Sequence, residues 1–194
     1  MSAPDTPAKD GRRQRSRISR DRIVAAMLEL VAEGRISPSA EEVAARAKVG
    51  LRTVFRHFAD MESLYAALTH TLAEQYEGWL IPFDSSDWRD QLVEVIERRT
   101  ATYHRLLPFK RAGDAHRHMS PAMQDHYAGV LALMRQRLRS FLPPSITNDH
   151  MRFETIDLLL SFEVWQRLCD EQQLSSDQAR AIILAEVLRV VDAA

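Results

Sequence analysis

Two short stretches of helical character stand only three residues apart between positions 39 and 58, and this spacing restricts the fold more than any other feature of the 194-residue chain. Ser39-Ala-Glu-Glu42 has the capping-box pattern, in which the serine hydroxyl accepts from the backbone N–H of Glu42 and that glutamate reaches back to the serine N–H. The pattern predicts a helix to about Ala47 that buries Val43, Ala44 and Ala47. Lys48, Val49 and Gly50 follow, then LRTVFRHF, residues 51 to 58, where Val54 and Phe58 lie four apart and share a helix face. Two short helices joined by a tight, glycine-containing turn are the signature of a helix-turn-helix unit.

On a helical wheel at 100° per residue, Leu51, Val54 and Phe58 fall within about 60° of one another. Arg52 and Arg56 lie on the opposite side, flanked by Thr53 and His57. One face is therefore expected to be dry and the other to hold two guanidinium groups a turn apart. Arginine can bond guanine O6 and N7 together, and threonine offers a hydroxyl to phosphate or a methyl to thymine, so the wet face suits a major groove.

Charge supports that direction. Residues 1 to 58 carry 12 Lys and Arg against 7 Asp and Glu, and the remainder carries 14 against 20, within a total of -1. A basic front paired with an acidic rear points the front toward an anion, of which nucleic acid is the commonest large one. Residues 1 to 18 hold Lys9, Arg12, Arg13, Arg15 and Arg17 with almost no large apolar side chain, and predict a flexible basic arm. Ser19 is the expected cap of a first helix that buries Ile23, Met27, Leu30 and Val31 and ends at Gly34.

Beyond the turn, Asp60 is placed to cap a longer helix through Leu64, Leu68 and Leu72 to about Trp79, and Pro82 with Asp-Ser-Ser-Asp marks a break. The rest reads as helix: Trp88 to Leu107, stopped by Pro108; an ill-defined piece to 117; Ser120-Pro121 opening a helix to Leu142; Asn148 capping one through Leu168; and Ser175 with Gln178 opening the last, to about Val191. The expected fold class is all-α.

Residues 19 to 70 resemble the DNA-binding domain of the TetR family of transcriptional regulators, whose helix 2, turn and recognition helix read approximately I-A-x-x-A-G-V-S-x-G-T-L-Y-R-H-F. The matching run here is Val43-Ala44-Ala45-Arg46-Ala47-Lys48-Val49-Gly50-Leu51-Arg52-Thr53-Val54-Phe55-Arg56-His57-Phe58, without insertion. The resemblance implies an N-terminal three-helix domain with the helix-turn-helix, at 19–80 including a linking fourth helix, and a larger helical ligand-binding and dimerisation domain at 81–194. It places Leu51, Arg52, Thr53 and Arg56 toward base edges or nearby backbone, with Ser39, Phe55 and His57 near phosphates, and Lys48 is the further expected DNA-binding residue. Leu51 stays contested, because the wheel buries it while the family register turns it to DNA. The chain departs from the pattern at Phe55, which lacks the usual tyrosine hydroxyl; at Lys48, in place of the turn glycine; at Gly50, in place of the serine cap; and at Met61, where a lysine is frequent.

In the family the last two helices pair with their copies in a second subunit. Residues 158–168 and 181–191 look like that pair, and apolar residues surround the terminal helix almost completely. Leu160, Val164, Leu184, Leu188 and Val191 are the expected dimer contacts, and two-fold pairing implies a palindromic operator on double-stranded DNA. The family's effector cavity, transferred here, would draw on Tyr103, Phe109, His116, Met119, Met123, Tyr127, Phe162 and Trp165, although such residues at helical spacing also serve as plain core.

No cofactor or metal is expected. His116 and His118 diverge on a regular element, and H-E-x-x-H, G-x-S-x-G and a phosphate-cradling glycine loop are absent, which argues against catalysis. The single Cys169 and the lack of a long apolar run predict a cytoplasmic protein that does not enter a membrane. The expected function is a homodimeric DNA-binding regulator, a repressor released by a small molecule. A helical protein-interaction module and a small helical enzyme are the alternatives.

Overall fold

A computed structural model describes residues 7–72, 79–118 and 120–193. Among them there are helices and no strand: α1 (Pro7–Ala32), α2 (Ala40–Ala47), α3 (Leu51–His57), α4 (Met61–Leu72), α5 (Trp88–Arg117), α6 (Pro121–Phe141), α7 (Pro144–Thr147), α8 (His150–Leu159), α9 (Phe162–Gln166), whose end runs into a π-helical turn, and α10 (Ser176–Asp192). The fold is all-α, as expected. Two compact units share the chain: residues 1–72 with 108–124, and 73–107 with 125–194.

In the first unit Ile23, Met27 and Val31 of α1 pack with Val43 of α2, Val54 of α3 and Leu64 of α4 around one apolar core. Arg46 of α2 is held against α1 by Glu33, with N–O distances of 2.8 and 2.7 Å, and by Glu29 at 3.3 Å. The Arg46 hydrogen bonds hold the Glu33 carboxyl below its ordinary range. Helix α1 starts at Pro7 rather than after Ser19, so the predicted arm is helical from there on. Ser19 is not a cap: its hydroxyl donates to the Arg15 carbonyl one turn back, at 3.0 Å. Once the Ile23–Val31 segment is packed, each further residue adds a hydrogen bond at low cost, and arginine is a good helix former. Residues 108–124, expected in the rear domain, contribute Phe109, Ala112 and Met123 to this core.

Pro108 does not end a helix. It lies inside the 30-residue α5, and the division between the units falls at that residue. A proline inside a helix removes one backbone donor, yet the flanking turns are anchored by buried Leu106 and Ala112.

The second unit is built on Leu92 and Tyr103 of α5, Leu138 of α6, Phe153 and Ile156 of α8, Trp165 of α9 and Ile183 and Val187 of α10. Asp149, rather than Asn148, caps α8, accepting from the Arg152 N–H at 3.0 Å. The single helix expected through Leu168 is broken at Leu160. The Leu160 carbonyl accepts the Tyr103 hydroxyl at 2.7 Å and Arg99 at 3.5 Å, and Ser161 caps the new helix α9 through the Val164 N–H. The short α7 starts at Pro144, with Pro143 as its N-cap. The Ser175/Gln178 capping box starts α10 as its pattern predicts.

Candidate nucleic-acid interface

The capping box at α2 is complete: Ser39 Oγ accepts from the Glu42 N–H at 3.2 Å, and Glu42 Oε2 accepts from the Ser39 N–H at 2.8 Å. The exposed Ser39 hydroxyl keeps its own proton for an outside acceptor. After Ala47 the chain turns through Lys48, which closes α2 in the left-handed conformation (φ 54°, ψ 47°) and donates its N–H to the Ala44 and Ala45 carbonyls. Lysine thus takes the positive φ that the family's turn glycine would adopt freely. Glycine would occupy this conformation without the Cβ clash, so Lys48→Gly is expected to raise the unfolding free energy by about 0.5–1 kcal/mol in urea titrations.

Gly50 stands as the N-cap of α3 in extended conformation, with no side chain to cap the helix. The helix is pinned from beneath by Val54, fully buried, and Phe58, 3% exposed. The Arg20 guanidinium of α1 lies 5.0 Å from the Phe58 ring centroid, which ties the basic first helix to the end of α3.

The outer face differs from the wheel in composition. Leu51 is 38% exposed and Phe55 47%, beside exposed Arg52 and Arg56, while Thr53 and His57 are half-buried. At the first turn of a seven-residue helix there is too little neighbouring structure to cover Leu51, which settles its exposure in favour of the outward face. The strip is thus two cations and two apolar groups, with Lys48 at its edge. Among the described residues Lys48, Arg52 and Arg56 make no ion pair, so their charge faces outward uncompensated.

His57 differs in chemistry from those arginines. Burial first, then the charges of Arg56 and Arg20, push its pKa below the ordinary histidine value, and its Nε2 is buried without a partner. The folded state therefore holds a neutral imidazole where the unfolded chain would take a proton. His57 contributes no pH dependence above its unfolded pKa, about 6.5; stability falls as pH drops from there through the depressed folded value. His57→Gln is expected to flatten that loss between about pH 6.5 and 5, as read from urea midpoints across the range.

The residues expected to form an effector cavity belong to both units. Tyr103, Phe162 and Trp165 form an aromatic cluster in the second unit, with Tyr103 and Phe162 centroids 4.8 Å apart, and Tyr127 donates to Glu163 Oε1 at 2.6 Å. Phe109, His116 and Met123 belong to the first unit. There His116 stacks on Tyr65, centroids 4.0 Å apart, and shares a 2.9 Å hydrogen bond with Ser37, while Tyr65 donates to the Ile36 carbonyl. Met119 lies outside the described residues. The seven described residues fall in both units because α5 and α6 each pass from one unit into the other.

Of the expected dimer contacts, Leu160 and Val191 are buried within their own unit, and Val164, Leu184 and Leu188 are half-buried. On α8 and α10 the large apolar side chains that face outward are Met151 and Leu158, 75% and 62% exposed, and Ile182, 41% exposed. Their signal in the sequence was apolar residues off the buried i, i+4 stripe. Among the described residues no group of three metal-ligating side chains converges, and no helix is long and apolar enough to cross a membrane.

No family model and no curated protein matches the chain. Solved structures do. A transcriptional regulator from Rhodococcus sp. Rha1 superposes with a TM-score of 0.68 at 19% identity, over 88% of this chain and 96% of that one. A TetR transcriptional regulator from Rhodococcus sp. RHA1 gives 0.58 at 20% identity, over 91% and 97%. The chain has the TetR-type regulator fold. The multidrug binding protein EbrR, solved in complex with imidazole, shares this TetR-type fold with a TM-score of 0.61 at 19% identity, over 88% of each chain.

Proposed function

We propose that the protein is a sequence-specific DNA-binding transcriptional regulator, a homodimer that represses from a palindromic operator until a small molecule releases it. The observation that carries this reading is the outward strip of α3, with Arg52 and Arg56 held proud by buried Val54 and Phe58. That strip presents base-reading donors from a rigid helix, in a fold shared with transcriptional regulators. Lys48, Ser39 and the exposed arginines of α1 supply the positive charge that draws a phosphate backbone. Release by a small molecule is a population shift toward a dimer whose recognition helices no longer match the half-site spacing.

Gel shifts with genomic fragments test the core of the proposal. Retention of a discrete double-stranded sequence over non-specific competitor is the expected result; failure to retain any would overturn it. Helices α8 and α10 pack on each other through Phe153, Ile156, Ile183 and Val187, leaving Met151, Leu158 and Ile182 outside for a second subunit. Leu158→Arg is therefore expected to give a monomer by light scattering and to weaken operator binding about 10²-fold through lost avidity.

A further inference from the structure

The most deeply buried charge in the second unit is Arg99 of α5, 3% exposed. Its guanidinium donates to the Met134 carbonyl at 3.0 Å and the Leu160 carbonyl at 3.5 Å, both neutral acceptors. Arginine cannot shed its proton in a protein, and a buried charge without a counter-charge is costly. Among the described residues no carboxylate lies within ion-pair distance of Arg99, nor of Arg137 on α6.

Arg137 stacks 3.9 Å from the Phe83 ring centroid and donates one amine to the Ile81 carbonyl at 3.0 Å, but its Nε is buried with no acceptor. Arg98 shares the same ring, at 5.5 Å, and the same carbonyl, at 2.8 Å. Of the three, Arg98 alone has an acidic partner among the described residues, Glu94 at 2.7 Å. Burial and the neighbouring Arg98 charge pull the Arg137 pKa below the ordinary arginine value. Three guanidinium groups thus face one carboxylate.

These arginines line a single cleft with Trp79, Leu80 and Leu133. Its interior has about 10 Å³, about the space of one water, and exposed Leu80 and half-buried Leu133 add apolar lining. We propose that this cleft binds a small organic acid, its carboxylate held by Arg99 and Arg137 and its hydrocarbon part lying against Trp79 and Leu133. Planar guanidinium groups match a carboxylate bidentately, and the buried Arg137 Nε–H gains the acceptor it lacks. The assignment deepens the effector reading above and rests on it for its regulatory meaning.

Sodium benzoate is the probe, titrated against the full-length protein at constant ionic strength with tryptophan fluorescence and thermal unfolding as readouts. Saturable binding with a raised melting temperature is expected. Arg137→Gln, which alters a half-buried side chain, is expected to keep the fold and weaken benzoate about tenfold or more; Arg99→Lys serves as a second variant if it folds. No saturable response, equal affinity in Arg137→Gln, or chloride and phosphate binding as well as benzoate would overturn the site. Benzoate binding that leaves operator affinity unchanged overturns its role as effector. Loss of operator binding in the absence of benzoate, with benzoate binding intact, counts against the regulator reading alone and leaves the acid site supported.

Discussion

Replacing Arg52 and Arg56 together by alanine is expected to weaken operator binding by about 2–6 kcal/mol, at about 1–3 kcal/mol per lost base contact. Both side chains are exposed on α3 and neither is tied to an acidic neighbour among the described residues, so truncation leaves no buried charge unpaired and folding stability is expected to stay unchanged. The measurement is a fluorescence-anisotropy titration of operator and scrambled duplex at several salt concentrations. Loss on the operator alone identifies base contacts. Equal loss on both duplexes, with the salt slope falling by about one for each arginine, identifies phosphate contacts instead. Unchanged affinity on both would remove α3 from the interface.

The second large effect concerns what holds that helix down. Phe58 is almost wholly buried, ends α3 in extended backbone, and carries Arg20 over its ring. Phe58→Ala is expected to cost about 3–5 kcal/mol of folding stability, the usual range for emptying a buried aromatic site. Phe55 is three residues away and nearly half exposed, so Phe55→Ala is expected to stay within about 0.5 kcal/mol. Urea unfolding followed by circular dichroism compares them; similar losses in the two variants would mean that the division of α3 into inner and outer faces is wrong. In DNA binding the order is expected to differ, since Phe55 lies in the outward strip and Phe58 does not.

Local signals carried the parts of this fold that local chemistry decides. The capping boxes at Ser39 and Ser175, the three-residue turn, and the Val54/Phe58 spacing are each set by residues within one or two turns of one another, and the structure forms them where the pattern places them. The misplaced boundaries share a different cause. Ser19 is a good cap in isolation but lies in a helix extended from a packed segment further along. Leu160 ends a helix because Tyr103 and Arg99, about 60 residues earlier, take its carbonyl, as their separations of 57 and 61 positions record. Pro108 is a breaker by composition, yet packing on both sides carries the helix through it. In the outward strip, Arg52 and Arg56 were legible from periodicity, whereas the exposure of Leu51 depended on how little surrounds the start of a seven-residue helix. The arginine-lined cleft had no sequence signature, since Trp79, Arg99 and Arg137 meet only through tertiary structure.

Helices α5 and α6 also bear on autonomy. The backbone leaves the first unit after residue 72, re-enters it at 108 and leaves it again after 124. No single peptide-bond scission can therefore release the head as a complete body. A fragment ending near residue 80 would forfeit Phe109, Ala112 and Met123 from its interior and expose the apolar surfaces they cover. The part proposed to meet DNA is thus not a detachable module: the segment that finishes it arrives on the same two helices that continue into the second unit.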